Sequence, residues 1–293
     1  MSIKKITIGT AQFGLNYGIS NQNGQVSLSE IEKILDFSQR SGMNSLDTAI
    51  AYGDSESRLG AIGIKDWDVV SKLPSIPDNC LNVKEWVIKS IEESLERLKI
   101  PSLYGLLLHR PNELFAPAGF ELYEAMQILK DSGMVKHLGI SIYGPDELKS
   151  LSNYKDVEIV QTPFNIFDRR LINNGLLNML VEEGREVHIR SAFLQGLLLM
   201  EPENRPSKFA LWGNLWQQYD NYIKNCGLSK LQLCIRYVLS FSQIKNVIVG
   251  VDSLSQLKEI YEAASGDISE LPEELQSSDL LLINPALWQT FSH

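Results

Sequence analysis

The chain has 293 residues, 44% of them hydrophobic and 22% charged, proportions that belong to a folded globular protein and exclude a disordered or collagen-like one. A formal net charge of −9 argues against nucleic acid or an anionic membrane as the main partner, because either requires a basic face. Cys80, Cys226 and Cys234 lack metal-ligand spacing, so no metal site is expected. With no secretory apolar region in the opening MSIKKITIGT and no run of transmembrane length, the expected location is the cytoplasm, where the three thiols would be reduced and buried. Oligomeric state is not fixed by anything in the sequence.

In chain order, short apolar runs fall at 6–9, 45–48, 69–73, 104–109, 137–142, 158–162, 187–191 and 246–251. Several are apolar without alternation, as strands covered on both faces are. Between them lie segments with a period near 3.6. The first, 29–42, ends at Gly42; 56–62 follows, then 83–99 before Pro101, and 120–132 before Gly133. Beyond these, 145–151 opens on Pro145, 171–183 runs up to Gly184, and 228–241 and 253–264 flank the last run. Strand and helix alternating around the whole chain predict an α/β fold, a parallel (β/α)8 barrel over 1–293 as one domain. A doubly wound open sheet is the structural alternative, but Gly9–Gly14 reads GTAQFG and lacks the G-x-G-x-x-G spacing such a sheet needs for a dinucleotide. The stretch 15–26 is expected to be a surface loop or hairpin. The long insertion 194–227 is expected to act as a lid or to carry small helices of its own. A tail after Ala264 is expected to pack over one end through Leu280 to Ile283, Leu287 and Trp288.

In such a barrel the C-terminal ends of all strands face one pocket. Asp47, Lys72, His109, Ser141, Gln161, Ser191 and Gly250 then converge from runs far apart in sequence, with Tyr52 just beyond Asp47. A free tyrosine, with a pKa of about 10, is a poor acid at neutral pH. A nearby ammonium would lower that value, so Lys72, held charged by Asp47, is expected to activate Tyr52 as a proton donor. Neutral His109 would orient the same substrate oxygen. An acid aimed at an oxygen that becomes an alkoxide suits carbonyl reduction, and the hydride would have to come from a nicotinamide. Each residue also has a plain structural reading: Asp47 as a helix cap, Lys72 as a rim lysine, His109 as a satisfied core histidine, Tyr52 as a loop aromatic.

The motifs GTAQFG, LDTAIAYGDSESRLG, SKLP, LLLHRP, GMVKHLGIS, VQTPFN, SAFLQGLL and VIVGVDSLSQLKE, in this order, resemble the aldo-keto reductase family over nearly the whole chain. The second and fourth are the specific ones. The resemblance implies a barrel with extra loops and a C-terminal helical tail, a small-molecule carbonyl substrate, and NADP(H), or alternatively NAD(H), as cofactor. It also implies a catalytic tetrad of Asp47, Tyr52, Lys72 and His109 with Tyr52 the donor. By the same resemblance Gly9, Thr10 and Asp47 border the cofactor, Ser141 and Gln161 hold the nicotinamide carboxamide, and Ser191, Phe193 and Gly196 follow the pyrophosphate. Gly250, Asp252, Ser253, Gln256 and Glu259 fall at the adenosine end.

There are departures. Ile142 stands where the family usually has Asn, and Arg190 where an aromatic often stacks on the nicotinamide. The adenosine loop lacks the usual Lys or Arg for a 2′-phosphate, and Ile260 replaces another usual Asn. Asp252 near that position would repel a phosphate and accept a ribose hydroxyl, which shifts preference toward NAD; it reads equally as a solvated turn residue. A cofactor-binding regulatory barrel with little turnover is the alternative function, and an unrelated barrel lyase or isomerase a third.

Overall fold

The computed structural model describes residues 2–19, 21, 24–148 and 154–288. Its strands are β1 (Ile6–Gly9), β2 (Ser45–Asp47), β3 (Asp68–Leu73), β4 (Leu103–Leu108), β5 (Val135–Ser141), β6 (Val157–Pro163), β7 (Glu186–Arg190) and β8 (Ile244–Gly250). All pair in parallel in sequence order, and β8 closes the barrel against β1, with Gly9 beside Gly250. Closure removes both edges of a sheet whose flat apolar runs have no polar face to show to water.

The helices are α1 (Ala11–Gly14), α2 (Leu28–Arg40), α3 (Ser55–Ile62), α4 (Val83–Leu98), α5 (Gly119–Asp131), α6 (Arg170–Asn173), α7 (Leu176–Glu182), α8 (Gly213–Cys226), α9 (Lys230–Leu239), α10 (Leu254–Ala263) and α11 (Leu280–Ile283). Their starts follow local chemistry: the Ser27, Asn82 and Ser253 side chains accept the N–H three residues on, and Ser229 with Gln232 forms a reciprocal cap.

Several expectations are revised. The single helix over 171–183 is two, α6 and α7, because Gly175 adopts a left-handed conformation at φ 66° between them. The segment from Pro145 is a 3-10 turn to Leu148, and 149–151 lie outside the described residues. Of the two alternatives for 15–26, the described residues form a loop and not a hairpin. Cys234 is buried, but Cys80 and Cys226 are only half-buried, and all three are free thiols. The insertion 194–227 does carry its own elements, three 3-10 turns and α8. The tail docks against that insertion: the Trp288 indole donates to the Leu282 carbonyl at 3.1 Å, and its ring meets Phe209 edge-on at 4.9 Å. No helix among the described residues is long and apolar enough to cross a membrane.

Two features of α1 and α3 fix what lies above β2. A Cβ on Gly14 would stand 1.7 Å from the Tyr52 carbonyl oxygen, and one on Gly53, itself at φ 57°, would stand 2.4 Å from the Gly14 oxygen. Only this back-to-back pair of glycines lets the Tyr52 turn lie against α1. Below it, Glu56 of α3 is buried and its carboxylate accepts from Ser71 Oγ (2.8 Å), Ser94 Oγ (2.8 Å), and Arg97 Nε and Nη2 (2.9 and 2.7 Å). One carboxylate thus ties α3 to β3 and α4. Ser71 points out to this clamp while its neighbour Lys72 points into the barrel, the alternation a strand imposes. Glu56→Ala, which strands a guanidinium and two hydroxyls, is expected to destabilise the fold by about 3 kcal/mol. Urea denaturation measures it; a change below about 1 kcal/mol would show that the clamp is not structural.

Candidate active site

The polar residues predicted to end the strands do meet at one mouth. Asp47 ends β2, Lys72 is the last residue but one of β3, and His109 follows β4 directly. Lys72, 1% exposed, donates from Nζ to Asp47 Oδ1 at 2.6 Å and to the Thr48 carbonyl at 2.9 Å. The other Asp47 oxygen accepts from Gln161 Nε2 at 2.6 Å, across the barrel from β6, and Gln161 Oε1 accepts from Ser141 Oγ at 3.1 Å. Thr10 Oγ1 donates to the Asp47 carbonyl at 3.1 Å. Tyr52 roofs this layer, with Lys72 Nζ 5.2 Å from its ring centroid and the His109 ring edge-on at 6.1 Å.

The electrostatics differ in part from expectation. Desolvation, reinforced by the Asp47 carboxylate, raises the Tyr52 phenol above its usual range, and Arg190 offsets this only partly. The net shift is therefore upward, opposite to the lowering expected from Lys72. Burial, followed by the charge of Lys72, lowers His109 to about 4, so it is neutral at physiological pH. Burial likewise lowers Lys72 against the opposing pull of Asp47.

From this layer an open cleft of about 450 Å³ runs across the mouth to the start of α10. Gly9, Thr10, Asp47 and Tyr52 border one end; Arg190, Ser191, Phe193 and Gly196 form a wall; Gly250, Asp252, Gln256 and Glu259 border the far end. Three predicted cofactor residues do not line it. Ser141 and Gln161 are buried and spend hydrogen bonds on each other and on Asp47, while Ser253 caps α10. Residues that sequence reasoning did not single out do line it: Gln12, whose amide fills the space a Cβ on Gly250 would need, and Gln195, which donates to the Tyr17 hydroxyl at 3.0 Å across the opening. Both lie inside quoted motifs, GTAQFG and SAFLQGLL, so the motifs held the signal without its meaning.

The cleft fits a dinucleotide. Leu194, Gln195 and Gly196 have φ of 49°, 52° and 87°, a left-handed turn along the wall of the cleft that the Leu194 and Gly196 N–H groups close on the Ser191 and Phe193 carbonyls. Asp252 has one carboxylate oxygen that is buried and has no hydrogen-bond partner among the described residues. No group of three or more His, Cys, Asp or Glu among the described residues is placed to hold a metal ion.

A closed parallel barrel with a polar cleft across its C-terminal strand ends defines the class. More narrowly, the chain belongs to the aldo/keto reductase family, whose model matches residues 5–274. That family reduces carbonyl groups and generally uses nicotinamide cofactors. The chain is 24% identical to an uncharacterized oxidoreductase of Bacillus subtilis over 284 residues, covering 90% of this chain and 92% of that one. It is also 24% identical to the NADH-specific methylglyoxal reductase of Escherichia coli over 284 residues, covering 82% and 84%. The holo form of an aldo-keto reductase from Bacillus halodurans shares the fold, with a TM-score of 0.73 at 20% identity over 92% of this chain and 89% of that one.

A neutral folded His109 makes a signed prediction. Unfolded, it titrates near 6.5; folded, near 4. Between those values the unfolded chain binds a proton that the folded chain does not, so stability falls as pH drops through that window. His109→Gln should remove part of that loss. Urea midpoints at about pH 7 and about pH 5 measure it, and identical losses in both proteins would contradict a neutral His109.

Proposed function

We propose that this chain interconverts an aldehyde or ketone with its alcohol, with Tyr52 as proton donor and NAD(H) preferred to NADP(H). The observation that carries the reading is Tyr52 and Asp47 bordering one end of the cleft with the Lys72 ammonium 5.2 Å from the phenol ring. The nicotinamide, when bound, supplies the hydride. Gly9, Thr10 and Asp47 would hold its near end, Ser191, Phe193 and Gly196 its phosphates, and Asp252 and Gln256 its adenosine ribose.

The rest is done by the chain's own groups. Tyr52, protonated at neutral pH, is a stronger acid than an alcohol and so can protonate an alkoxide as it forms. Lys72 then faces a phenolate rather than a phenol, and its charge stabilises that product of the transfer. Asp47 keeps the ammonium in place, and Gln161 and Ser141 keep Asp47 in place. Neutral His109 has one N–H to offer the same substrate oxygen, which fixes the carbonyl against Tyr52.

Cofactor preference follows from the far end of the cleft, where Asp252, Gln256 and Glu259 stand; among the described lining residues the one Lys or Arg is Arg190, in the wall nearer Tyr52. A 2′-phosphate there would meet carboxylates, whereas a 2′-hydroxyl can donate to a carboxylate such as that of Asp252. The name of the E. coli relative carries the same preference. Free thiols at Cys80, Cys226 and Cys234 suit a reducing compartment such as the cytoplasm.

Tyr52→Phe should lower kcat by roughly 10²–10⁴ while leaving the Kd for NADH within about threefold. A variant keeping most of its rate over a panel of aldehydes and ketones would remove Tyr52 from the chemistry. Binding titrations should give a lower Kd for NADH than for NADPH; a preference for NADPH beyond about a hundredfold would overturn the role given to Asp252.

A further inference from the structure

We propose that Arg190 sets the redox bias of the site: it disfavours the oxidised, cationic nicotinamide relative to the reduced, neutral one, so the chain holds NADH more tightly than NAD+ and favours alcohol oxidation on the enzyme. This rests on the nicotinamide reading above.

Arg190 ends β7 and borders the same cleft as Tyr52 and Asp47. Its guanidinium is fixed, with Nη2 donating to the Ile142 carbonyl at 3.0 Å, Nη1 donating to Ser191 Oγ at 3.4 Å, and Cζ 4.6 Å from the Tyr143 ring centroid. Those partners are a carbonyl, a hydroxyl and an aromatic face. None is a carboxylate, and among the described residues none forms an ion pair with it. The other cation of this end, Lys72, is matched by Asp47 at 2.6 Å. One positive charge is therefore left over beside the reacting atoms. Its reach is consistent with its effect on neighbours, since it pulls down the proton affinity of Tyr52, Lys72 and His109 alike.

Chemistry places the nicotinamide at this end. The carbonyl oxygen must face Tyr52 to take its proton, so the hydride donor must lie beside the carbonyl carbon. In reduction a C–H bond of the dihydropyridine breaks, its electron pair forms the new C–H bond of the alcohol, and the oxygen takes the Tyr52 proton; oxidation is the reverse. The ring is neutral before reduction and a cation after it. A fixed guanidinium in a partly desolvated cleft repels only the second state. By linkage, the ratio of the two dissociation constants is the shift in the bound couple's potential: each tenfold is about 30 mV for two electrons. With Arg190 in place the bound nicotinamide is a weaker hydride donor and a stronger acceptor than it is in water.

The test is binding of NADH and NAD+ to the full chain, by calorimetry or by quenching of tryptophan fluorescence, for the wild type, Arg190→Gln and Arg190→Lys. The expected wild-type Kd for NAD+ exceeds that for NADH by at least about tenfold, Arg190→Gln lowers this ratio by about tenfold, and Arg190→Lys, which keeps the charge, largely preserves it. A ratio unchanged within about twofold in Arg190→Gln overturns the proposal, as does a lysine variant that behaves like the glutamine one. If Arg190 instead pairs with a carboxylate on the substrate, both constants respond alike to its removal, which also overturns it. Wild-type protein that binds neither nucleotide would take down the nicotinamide reading itself, whereas equal binding of both takes down this inference alone.

Discussion

The mouth of the barrel is organised around a lysine ammonium taken almost completely out of water. Burying such a charge is costly enough that it persists only where a carboxylate and further hydrogen bonds surround it. Here Asp47 and the Thr48 carbonyl meet Lys72, Gln161 crosses the barrel to hold the second Asp47 oxygen, and Ser141 holds Gln161. The layer is a mutual constraint drawn from β2, β3, β5 and β6, and losing one member exposes the next. An apolar layer of the same volume would be at least as stable, so its value lies in holding a cation and an oriented carboxylate under Tyr52.

Much of this was legible from residues alone. Apolar runs closed by Asp47, Lys72 and His109 point to one pocket because a parallel barrel brings its strand ends together, and the structure puts those three side chains there. Helix ends before Gly42, Pro101 and Gly133 are likewise readable from the glycine or proline that stops them. What sequence did not show depends on contacts between distant segments. Nothing in GTAQFG or AYGD says that Gly14 and Gly53 must touch so that Tyr52 can lie against α1. The break at Gly175 is hidden inside a continuous helical period. Ser141 and Gln161 are joined to each other and to Asp47 by hydrogen bonds that their spacing does not announce. The phenol of Tyr52 moves upward because it is buried and faces the Asp47 carboxylate, neither of which spacing can convey.

The cleft itself is electrically polar. Arg190 stands at the end nearest Tyr52, while Asp252 and Glu259 stand at the other. On the proposed reading an electron-rich dihydronicotinamide suits the first end and an unphosphorylated ribose the second, so one arrangement of charge would select both the redox state and the nucleotide. Gly9 and Gly250 pair at the β1–β8 seam and both border the cleft. The same seam is where Gln12 leans over the cleft.

The most direct measurement is a crystal structure of the chain with NADH. The expected complex has the nicotinamide between Tyr52 and Arg190, above the Asp47–Lys72 pair, and the adenosine ribose against Asp252. A dinucleotide bound in the reverse sense, or seated away from Tyr52, would contradict it.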